Sequence, residues 1–271
     1  MERFPLATLL TDFGTSDPYV AVVKGVILRH CPGATIIDLA HEIPPQGVPW
    51  AAFVLAQSMA YFPEDTLHVV VVDPGVGTRR RVLAGRVGNQ RVLGPDNGVL
   101  SLAAERLGCT EMVAVDQEAL LEAPASATFH GRDVFAPLAG RILGGLAISR
   151  MGPPAGEIVR VDFPQPQAEG DSVTGCVVYV DRFGNLVSNI DRASLAALAP
   201  TGQAVDVLCG GRLVGRLCPT YAAVEPGSSL ALINSMDLLE VAVRDGSAAA
   251  SLGGGLGTEI RAVRAGKSSG G

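Results

Sequence analysis

The feature that most constrains this fold is an alternation of short apolar runs with helix-like segments in the first half of the chain. The runs at residues 7–10, 34–39 and 67–72 predict buried strands. Between them, residues 16–29 and 48–61 predict helices, and the first starts at a Ser-Asp-Pro sequence typical of a helix beginning. Strands alternating with helices across short Gly/Pro turns indicate a mostly parallel sheet with helices on both faces.

The pattern changes twice further along the chain. Residues 81–87 and 90–93 predict a hairpin, and residues 97–107 and 133–143 predict two more helices. Prolines interrupt the periodicity over residues 151–172. Beyond them, glycine-rich turns separate short apolar runs that predict a small β-barrel or sandwich, at residues 172–179, 205–208, 212–217, 229–233, 238–243 and 259–263. We predict an α/β domain over 1–163, a linker over 164–171, an all-β domain over 172–264 and a disordered tail over 265–271.

Composition limits the classes of partner and compartment. The chain has 271 residues, 48% of them hydrophobic, which is enough for a sizeable core. Its net charge of −6 and lack of a basic stripe argue against a nucleic-acid partner. Five scattered cysteines without a CxxC pair favour a reducing cytoplasm over a disulfide or zinc framework. We see no signal-peptide core and no apolar run of the roughly 18 residues that a membrane span needs.

Four short motifs combine polar side chains with glycine where apolar strands give way to turns. They are Thr11-Asp-Phe-Gly, Asp73-Pro-Gly-Val-Gly-Thr-Arg-Arg, Pro95-Asp-Asn-Gly and Thr128-Phe-His-Gly-Arg-Asp. Ligands of open α/β sheets bind outside the carboxyl ends of the strands. We therefore expect an Asp, an Arg and a His from these motifs to converge on one water molecule.

Asp73 and His130 are the strongest candidates for chemistry. Asp73 is either a carboxylate at the mouth of the sheet or a turn residue that satisfies backbone N–H groups. Arg80 is its natural charge partner, with Arg79 and Arg81 as rivals. His130 lies beside Gly131, which would let the backbone approach a ligand.

Other polar residues have both a binding and a structural interpretation. Asp12 either accepts the hydroxyls of a ribose or caps a turn, and Asn97 either contacts substrate or belongs to a turn. In Asp181-Arg-Phe-Gly-Asn185, Phe183 is suited to stack on a base and Asn185 to bind its edge, although an ordinary β-turn explains them equally. The usual phosphate-binding loops, HExxH and GxSxG are absent from the sequence.

Six motifs in this order resemble the S-adenosyl-L-methionine (SAM) hydroxide adenosyltransferases, the SAM hydrolases related to the fluorinase and chlorinase. They are the four motifs above, Asp-x-Phe-Gly-Asn at 181–185 and Asn234-Ser235, and the likeness covers residues 5–264. The resemblance implies a Rossmann-like domain followed by a β-barrel. It also implies a homotrimer with active sites between the first domain of one subunit and the second domain of its neighbour. The implied reaction converts SAM and water to adenosine and methionine, without cofactor or metal.

The resemblance also implies roles for individual residues. Asp73, Arg80 and His130 match a water-activating triad, in which either Asp73 or His130 is the general base. Asp12 matches the carboxylate that holds the ribose diol. The remaining predicted substrate residues are Phe183 and Asn185 for adenine, Asp181 and Ser235 for the methionine moiety, and Asn97.

Some positions differ from the halogenating relatives or from the family pattern. A tyrosine of the halogenating enzymes stands where Asp73 stands here, and Gln46 replaces a tryptophan of the fluorinase. A carboxylate at this position would repel halide. Met236-Asp237 and the charged segment Arg244-Asp245-Gly246 depart from the family pattern.

The sequence is also compatible with two other functions. A metal-dependent phosphoesterase would use Asp12, Asp73, His41 and His130 as ligands, and His41 is otherwise a candidate supporting residue. A non-catalytic sensor would bind SAM or adenosine without turning SAM over. Sensitivity to a chelator distinguishes the first from a hydrolase, and stable SAM binding without release of methionine distinguishes the second.

Overall fold

The computed structural model describes residues 5–121, 126, 128–200 and 202–265. The chain divides into two compact units, Met1–Asp162 and Phe163–Gly271. This division lies inside the proline-rich region where the sequence predicts a boundary. Of the tail predicted to be disordered, residues 266–271 lie outside the described part of the chain.

The first unit is built on a six-stranded, mostly parallel sheet. Its strands are β1 Leu6–Thr11, β2 Thr35–Ala40, β3 Leu67–Val71, β4 Val82–Val87, β5 Gln90–Pro95 and β6 Cys109–Ala114. In the order β2-β1-β3-β5-β4-β6, the first four strands are parallel neighbours, and β4 is antiparallel to both β5 and β6. The predicted parallel sheet and the predicted β4–β5 hairpin are therefore confirmed.

Helices cover both faces of this sheet, which gives it a Rossmann-like architecture. They are α1 Tyr19–His30, α2 Val48–Ser58, α3 Ser101–Leu107, α4 Gln117–Leu120 and α5 Ala136–Leu143. Val69 and Val71 of β3 belong to the same core cluster as residues of α1 and α5, whereas Val70 and Val72 belong to the cluster that includes α2 and α3. Since alternate residues of a strand point to opposite faces, a strand covered on both faces has a continuous apolar run.

The second unit is a closed β-barrel, which decides between the barrel and the sandwich. Its strands are β7 Gln167–Glu169, β8 Ser172–Val180, β9 Leu186–Asp191, β10 Val205–Cys209, β11 Arg212–Cys218, β12 Ser229–Ile233, β13 Leu238–Val243 and β14 Glu259–Arg264. The order is β14-β10-β11-β12-β13-β9-β8, and pairing of β14 with β8 closes the ring. Strand β7 lies outside this ring, on β8. Every pairing is antiparallel except β11 with β12.

Several elements differ from those the sequence pattern predicts. Strands β6, β7 and β9 and the short helices α4, α6 (Arg192–Leu198) and α7 (Ala248–Leu252) were not predicted, and β7 lies within the predicted linker at 164–171. Helix α3 begins at Ser101 rather than near residue 97. A π-helical turn, Gly131–Phe135, precedes α5, so this helical segment begins before residue 133. Within the described ranges, no helix is long and apolar enough to span a bilayer.

A histidine at the centre of the first sheet is held in its neutral form. His68 is fully buried on β3, with Nδ1 2.8 Å from the Thr8 hydroxyl and Nε2 2.9 Å from Gln90 Oε1. The Gln90 amide nitrogen donates to the carbonyls of Met59 and Phe62. Gln90 Oε1 therefore faces His68 as an acceptor, which assigns the imidazole proton to Nε2. Burial lowers the pKa of His68 to about 4, although the bond to Gln90 acts in the opposite direction.

This histidine predicts a specific loss of stability in acid. Below its ordinary pKa of 6.5 the unfolded chain binds a proton at His68 that the folded chain does not bind until pH is near 4. We expect this site to lower the free energy of unfolding by up to roughly 3 kcal/mol across that window. Urea unfolding between pH 7.5 and 4 measures the effect.

Matched variants separate His68 from the carboxylates that titrate in the same range. His68→Gln should lose part of the acid dependence and be less stable at pH 7.5. His30→Gln, at an exposed histidine, should keep the dependence of the wild type. Parallel pH profiles for wild type and His68→Gln would contradict the assignment.

Candidate active site

The motifs of the first unit meet at one edge of its sheet. Asp12 follows β1, Asp73 comes two residues after β3, and Asn97 comes two residues after β5. These three strands are parallel neighbours in the order β1-β3-β5. Their carboxyl ends therefore lie side by side, as the position of the motifs predicts.

Asp73 and Arg80 form an ion pair with little access to solvent. Arg80 Nε lies 2.9 Å from each Asp73 oxygen, and Nη2 lies 2.5 Å from Oδ2. The exposed fractions of the side chains are 5% for Asp73 and 9% for Arg80. At this burial, the attraction is screened far less than that of a surface pair. The charge partner expected for Asp73 is therefore confirmed.

The loop between these residues folds tightly enough to bring them together. Val76 N donates to the Asp73 carbonyl, and Thr78 donates to the Gly75 carbonyl through both its backbone N and its hydroxyl. A Cβ on Gly75 would lie 3.1 Å from Arg80 Cγ, a tight contact. Glycine at position 75 thus leaves room for the arginine stem to pass back over the turn.

The two rival arginines do not face Asp73. Arg81 pairs with Asp96 at 2.5 Å and donates to the carbonyls of Ala155 and Glu157. Arg79 is exposed. The choice among three consecutive arginines is therefore made by the direction of each side chain as it leaves the loop.

His130 joins the pair through Arg80. Arg80 Nη2 lies 2.8 Å from His130 Nδ1. A guanidinium has no acceptor, so Nδ1 accepts this bond and the proton of the neutral imidazole is on Nε2. Burial and the charge of Arg80 lower the pKa of His130, while Asp73 and Asp133 partly oppose this. His130 is thus neutral at pH 7, with Nε2–H as a donor.

Aromatic rings surround this cluster. The Arg80 guanidinium lies over Phe135 at 5.5 Å from the ring centroid, a cation–π contact. A Cβ on Gly131 would lie 3.1 Å from the Phe129 ring and 3.2 Å from the Phe13 ring. The absence of a side chain at Gly131 therefore leaves room for these two rings.

Asp12 and Asn97 lie at the same edge and have different surroundings. Asp12 Oδ2 accepts the backbone N–H of Gln46, whose φ is +62°. Asn97 uses both ends of its amide on the backbone, since Nδ2 donates to Val72 O and Oδ1 accepts from Val99 N. Asn97 thus joins the end of β3 to the end of β5, and the turn interpretation explains its contacts.

Asp181 organises the turn that carries the candidate base-binding residues of the second unit. Its Oδ1 accepts the backbone N–H groups of Phe183 and Asn185, and its Oδ2 accepts the Asn185 side-chain amide. Gly184 has φ +83°, and a Cβ there would collide with Ser247. The Phe183 ring is 77% exposed, whereas Asn185 is buried.

Two adjoining cavities of the second unit are lined by all four residues predicted there. One, of about 320 Å³, includes Asp181 and Ser235. The other, of about 550 Å³, includes Asp181, Phe183 and Asn185. Asp181 and Tyr221 line both cavities.

Two residues of these cavities were missed by the sequence reasoning. Tyr221 donates to Glu240 Oε1 at 2.6 Å, and Glu240 is only 3% exposed. A signal for Glu240 exists in the sequence, because it is the one charged residue in the apolar strand Leu238–Val243. No comparable local signal marks Tyr221.

The side chains proposed as metal ligands are used in other ways. Asp73 and His130 both contact the Arg80 guanidinium, which adds positive charge where a cation would have to bind. His41 contacts the Thr11 hydroxyl at 2.8 Å and Asp38 at 2.9 Å. Over the described residues, no group of three or more His, Cys, Asp or Glu side chains is arranged to hold a metal ion.

Comparison with known proteins gives two matches that together cover most of the chain. Residues 7–152 match the family described as SAM hydroxide adenosyltransferase N-terminal domain, and residues 175–261 match the corresponding C-terminal domain. A protein of Thermus thermophilus named (R)-S-adenosyl-L-methionine hydrolase is 41% identical, over 93% of this chain and 97% of its own length.

A fluorinase and a solved crystal structure are also similar to this chain. A fluorinase of an Actinoplanes species is 29% identical, over 88% of this chain and 90% of its own length. The crystal structure of an uncharacterized conserved protein from Thermotoga maritima aligns with a TM-score of 0.89 and 35% identity, covering 96% of this chain and 100% of that one.

Proposed function

The chain belongs to the SAM hydroxide adenosyltransferase family, and from this premise we propose that it is an enzyme that hydrolyses SAM to adenosine and L-methionine. The observation that carries the proposal is the Asp73–Arg80–His130 cluster at the carboxyl edge of the first sheet. It combines a fixed cation, a carboxylate and a neutral imidazole donor. These groups suit the activation of one water molecule.

The chemistry needs a nucleophile more than it needs an acid. SAM carries a sulfonium, so the C5′–S bond breaks with its electron pair moving to sulfur, and methionine leaves as a neutral thioether. The new bond joins the water oxygen to C5′, and one proton is released. Arg80, as a permanent cation, stabilises the developing hydroxide.

Asp73 is the better general base in this arrangement. His130 Nδ1 accepts from Arg80 and its Nε2 carries the proton, so the imidazole has no lone pair free for the water. The Asp73 carboxylate has more acceptor sites than its bonds from Arg80 occupy. We assign proton removal to Asp73 and orientation of the water oxygen to His130 Nε2–H.

The remaining predicted residues divide the substrate among them. We assign the ribose diol to Asp12 and the adenine to the larger cavity, where the exposed Phe183 ring is available for stacking. The methionine moiety is assigned to the smaller cavity beside Ser235. Asp181 lines both cavities and holds the turn at residues 181–185 in place. Asn97 holds the chain after β3 and the chain after β5 together at the edge of the site.

Two further features of the reaction follow from the same comparison. The sulfonium sulfur is a stereocentre, and the relatives named (R)-S-adenosyl-L-methionine hydrolase favour the (R) form as substrate here. The buried Asp73 carboxylate disfavours a halide as nucleophile by charge repulsion. No cofactor is assigned to the reaction, and SAM is the small-molecule partner.

We also propose a cytoplasmic homotrimer in which each active site uses the first unit of one subunit and the second unit of its neighbour. Support comes from the family resemblance and from the distribution of candidate residues over both units. The five free thiols suit a reducing compartment.

Product analysis tests the reaction directly. Incubation with a mixture of (R)- and (S)-SAM in EDTA, with and without chloride, should release adenosine and methionine in equal amounts. The (R) form should be consumed first, and chloride should have no effect. Chromatography of nucleosides, amino acids and residual SAM epimers measures all three. Stable SAM binding without products would favour the sensor, and loss of activity in EDTA would favour a metal enzyme.

Substitutions test the three proposed catalytic residues. Asp73→Ala, Arg80→Ala and His130→Ala should each lower kcat by at least about 100-fold, because activation of the water is lost. SAM binding, measured by calorimetry, should stay within a few-fold. Arg79→Ala is the matched control and should keep full activity. Wild-type kcat in any of the three variants would remove that residue from the mechanism.

Mixing two inactive variants tests whether subunits share active sites. Asp73→Ala damages the first unit and Asn185→Ala the second, so each alone should be weakly active. Random co-assembly should restore about a quarter of wild-type activity if the two halves come from different subunits. Light scattering should give the mass of three chains. Absence of recovery in verified mixed oligomers would place each site within one chain.

A further inference from the structure

The barrel contains a buried carboxyl group for which the proposed reaction has no use. Glu240 lies in the middle of β13 and is 3% exposed, while the other residues of this strand are apolar. A carboxylate without partners at such a site would be strongly destabilising. Its partners therefore indicate what the residue does.

Both Glu240 oxygens accept hydrogen bonds from residues of the smaller cavity. The Tyr221 hydroxyl donates to Oε1 at 2.6 Å, and Asn234 Nδ2 donates to Oε2 at 3.1 Å. Burial raises the pKa of Glu240, the two hydrogen bonds oppose this, and the charge of Asp181 adds to it. The pKa of the Tyr221 phenol is raised as well, so this hydroxyl keeps its proton and remains a donor.

Each partner of Glu240 continues to a part of the proposed substrate site. Asn234 Oδ1 accepts the backbone N–H groups of Met236 and Leu238, which closes the turn that presents Ser235. Tyr221 lines both cavities. Glu240 thus connects Tyr221, which lines both cavities, to the turn that carries Ser235.

We propose that Glu240 is a positioning residue for SAM, which fixes Tyr221 where it lines both cavities and fixes Asn234 where it closes the Ser235 turn. This inference rests on the proposed function. Glu240 acts on the substrate through its two neighbours, and its carboxylate remains bonded to them when SAM binds. Its effect therefore falls on substrate affinity and leaves the activation of water by Asp73 and Arg80 unchanged.

Two substitutions remove the connection from opposite ends. Tyr221→Phe deletes only a hydroxyl, at a side chain that is 42% exposed, and Glu240→Leu replaces the buried acid by an apolar side chain. Each should raise KM for SAM at least about tenfold, as expected for a lost hydrogen bond to a charged group, with kcat within about twofold. Glu240→Gln keeps an acceptor for Tyr221 and should give a smaller rise in KM.

The double variant shows whether the two residues act through one bond. In Glu240→Leu the bond is already absent, so adding Tyr221→Phe should raise KM no further. Tyr61→Phe, at a tyrosine that is 78% exposed in the first unit, is the matched control and should behave as wild type. Thermal melting of every variant shows whether the fold is retained.

Three results would overturn the inference. The first is an unchanged KM in folded Tyr221→Phe. The second is a fall in kcat without a change in KM in either single variant. The third is a double variant whose rise in KM equals the product of the two single rises. Failure of the proposed function would show separately, as absence of products from the wild type. In that case SAM dissociation constants from calorimetry replace KM, and the same ratios between variants decide the role of Glu240.

Discussion

A guanidinium held between a carboxylate and an imidazole, almost out of solvent, organises the candidate active site of the first unit. Because Arg80 has only donors, it bonds both Asp73 oxygens and determines which nitrogen of His130 carries the proton. The tight turn after β3 and the Phe135 ring hold the cation in that position. A lysine would keep the charge but could not contact both partners with the same planar group.

At the candidate site of the second unit, carboxyl groups are hydrogen-bonded by neutral donors. Glu240 is bonded by a phenol and an amide rather than by a cation, and these two bonds partly oppose the rise in its pKa that burial causes. Asp181 is bonded by two backbone N–H groups and an amide in the same way. The two candidate sites therefore differ in electrostatic character, with a carboxylate–guanidinium pair at the first and carboxyl groups bonded by neutral donors at the second. This difference suits activation of water in one and recognition of a cationic substrate in the other.

Much of the fold was predictable because its signals are local. The buried strands β1 and β3 are mostly apolar, and the hairpin of β4 and β5 surrounds Gly88-Asn89. Strand β9 was missed because the buried polar residues Ser188 and Asn189 interrupt its apolar run. The start of α3 was misplaced because Asn97 bonds to the backbone just beyond β3. Contacts of this kind join residues far apart in sequence and leave no periodicity to detect.

The sequence by itself determined the alternation of strands and helices in the first half of the chain, the position of the polar motifs at strand ends and the resemblance to one family. Only the tertiary structure decided that Arg80, rather than Arg79 or Arg81, faces Asp73, that the barrel closes through β14 and β8, and that Tyr221 meets Glu240. The physical reason is the range of the interactions. Periodicity and turn propensity act over a few neighbouring residues, whereas the direction of a side chain and the burial of a charge depend on whichever distant segments pack around them.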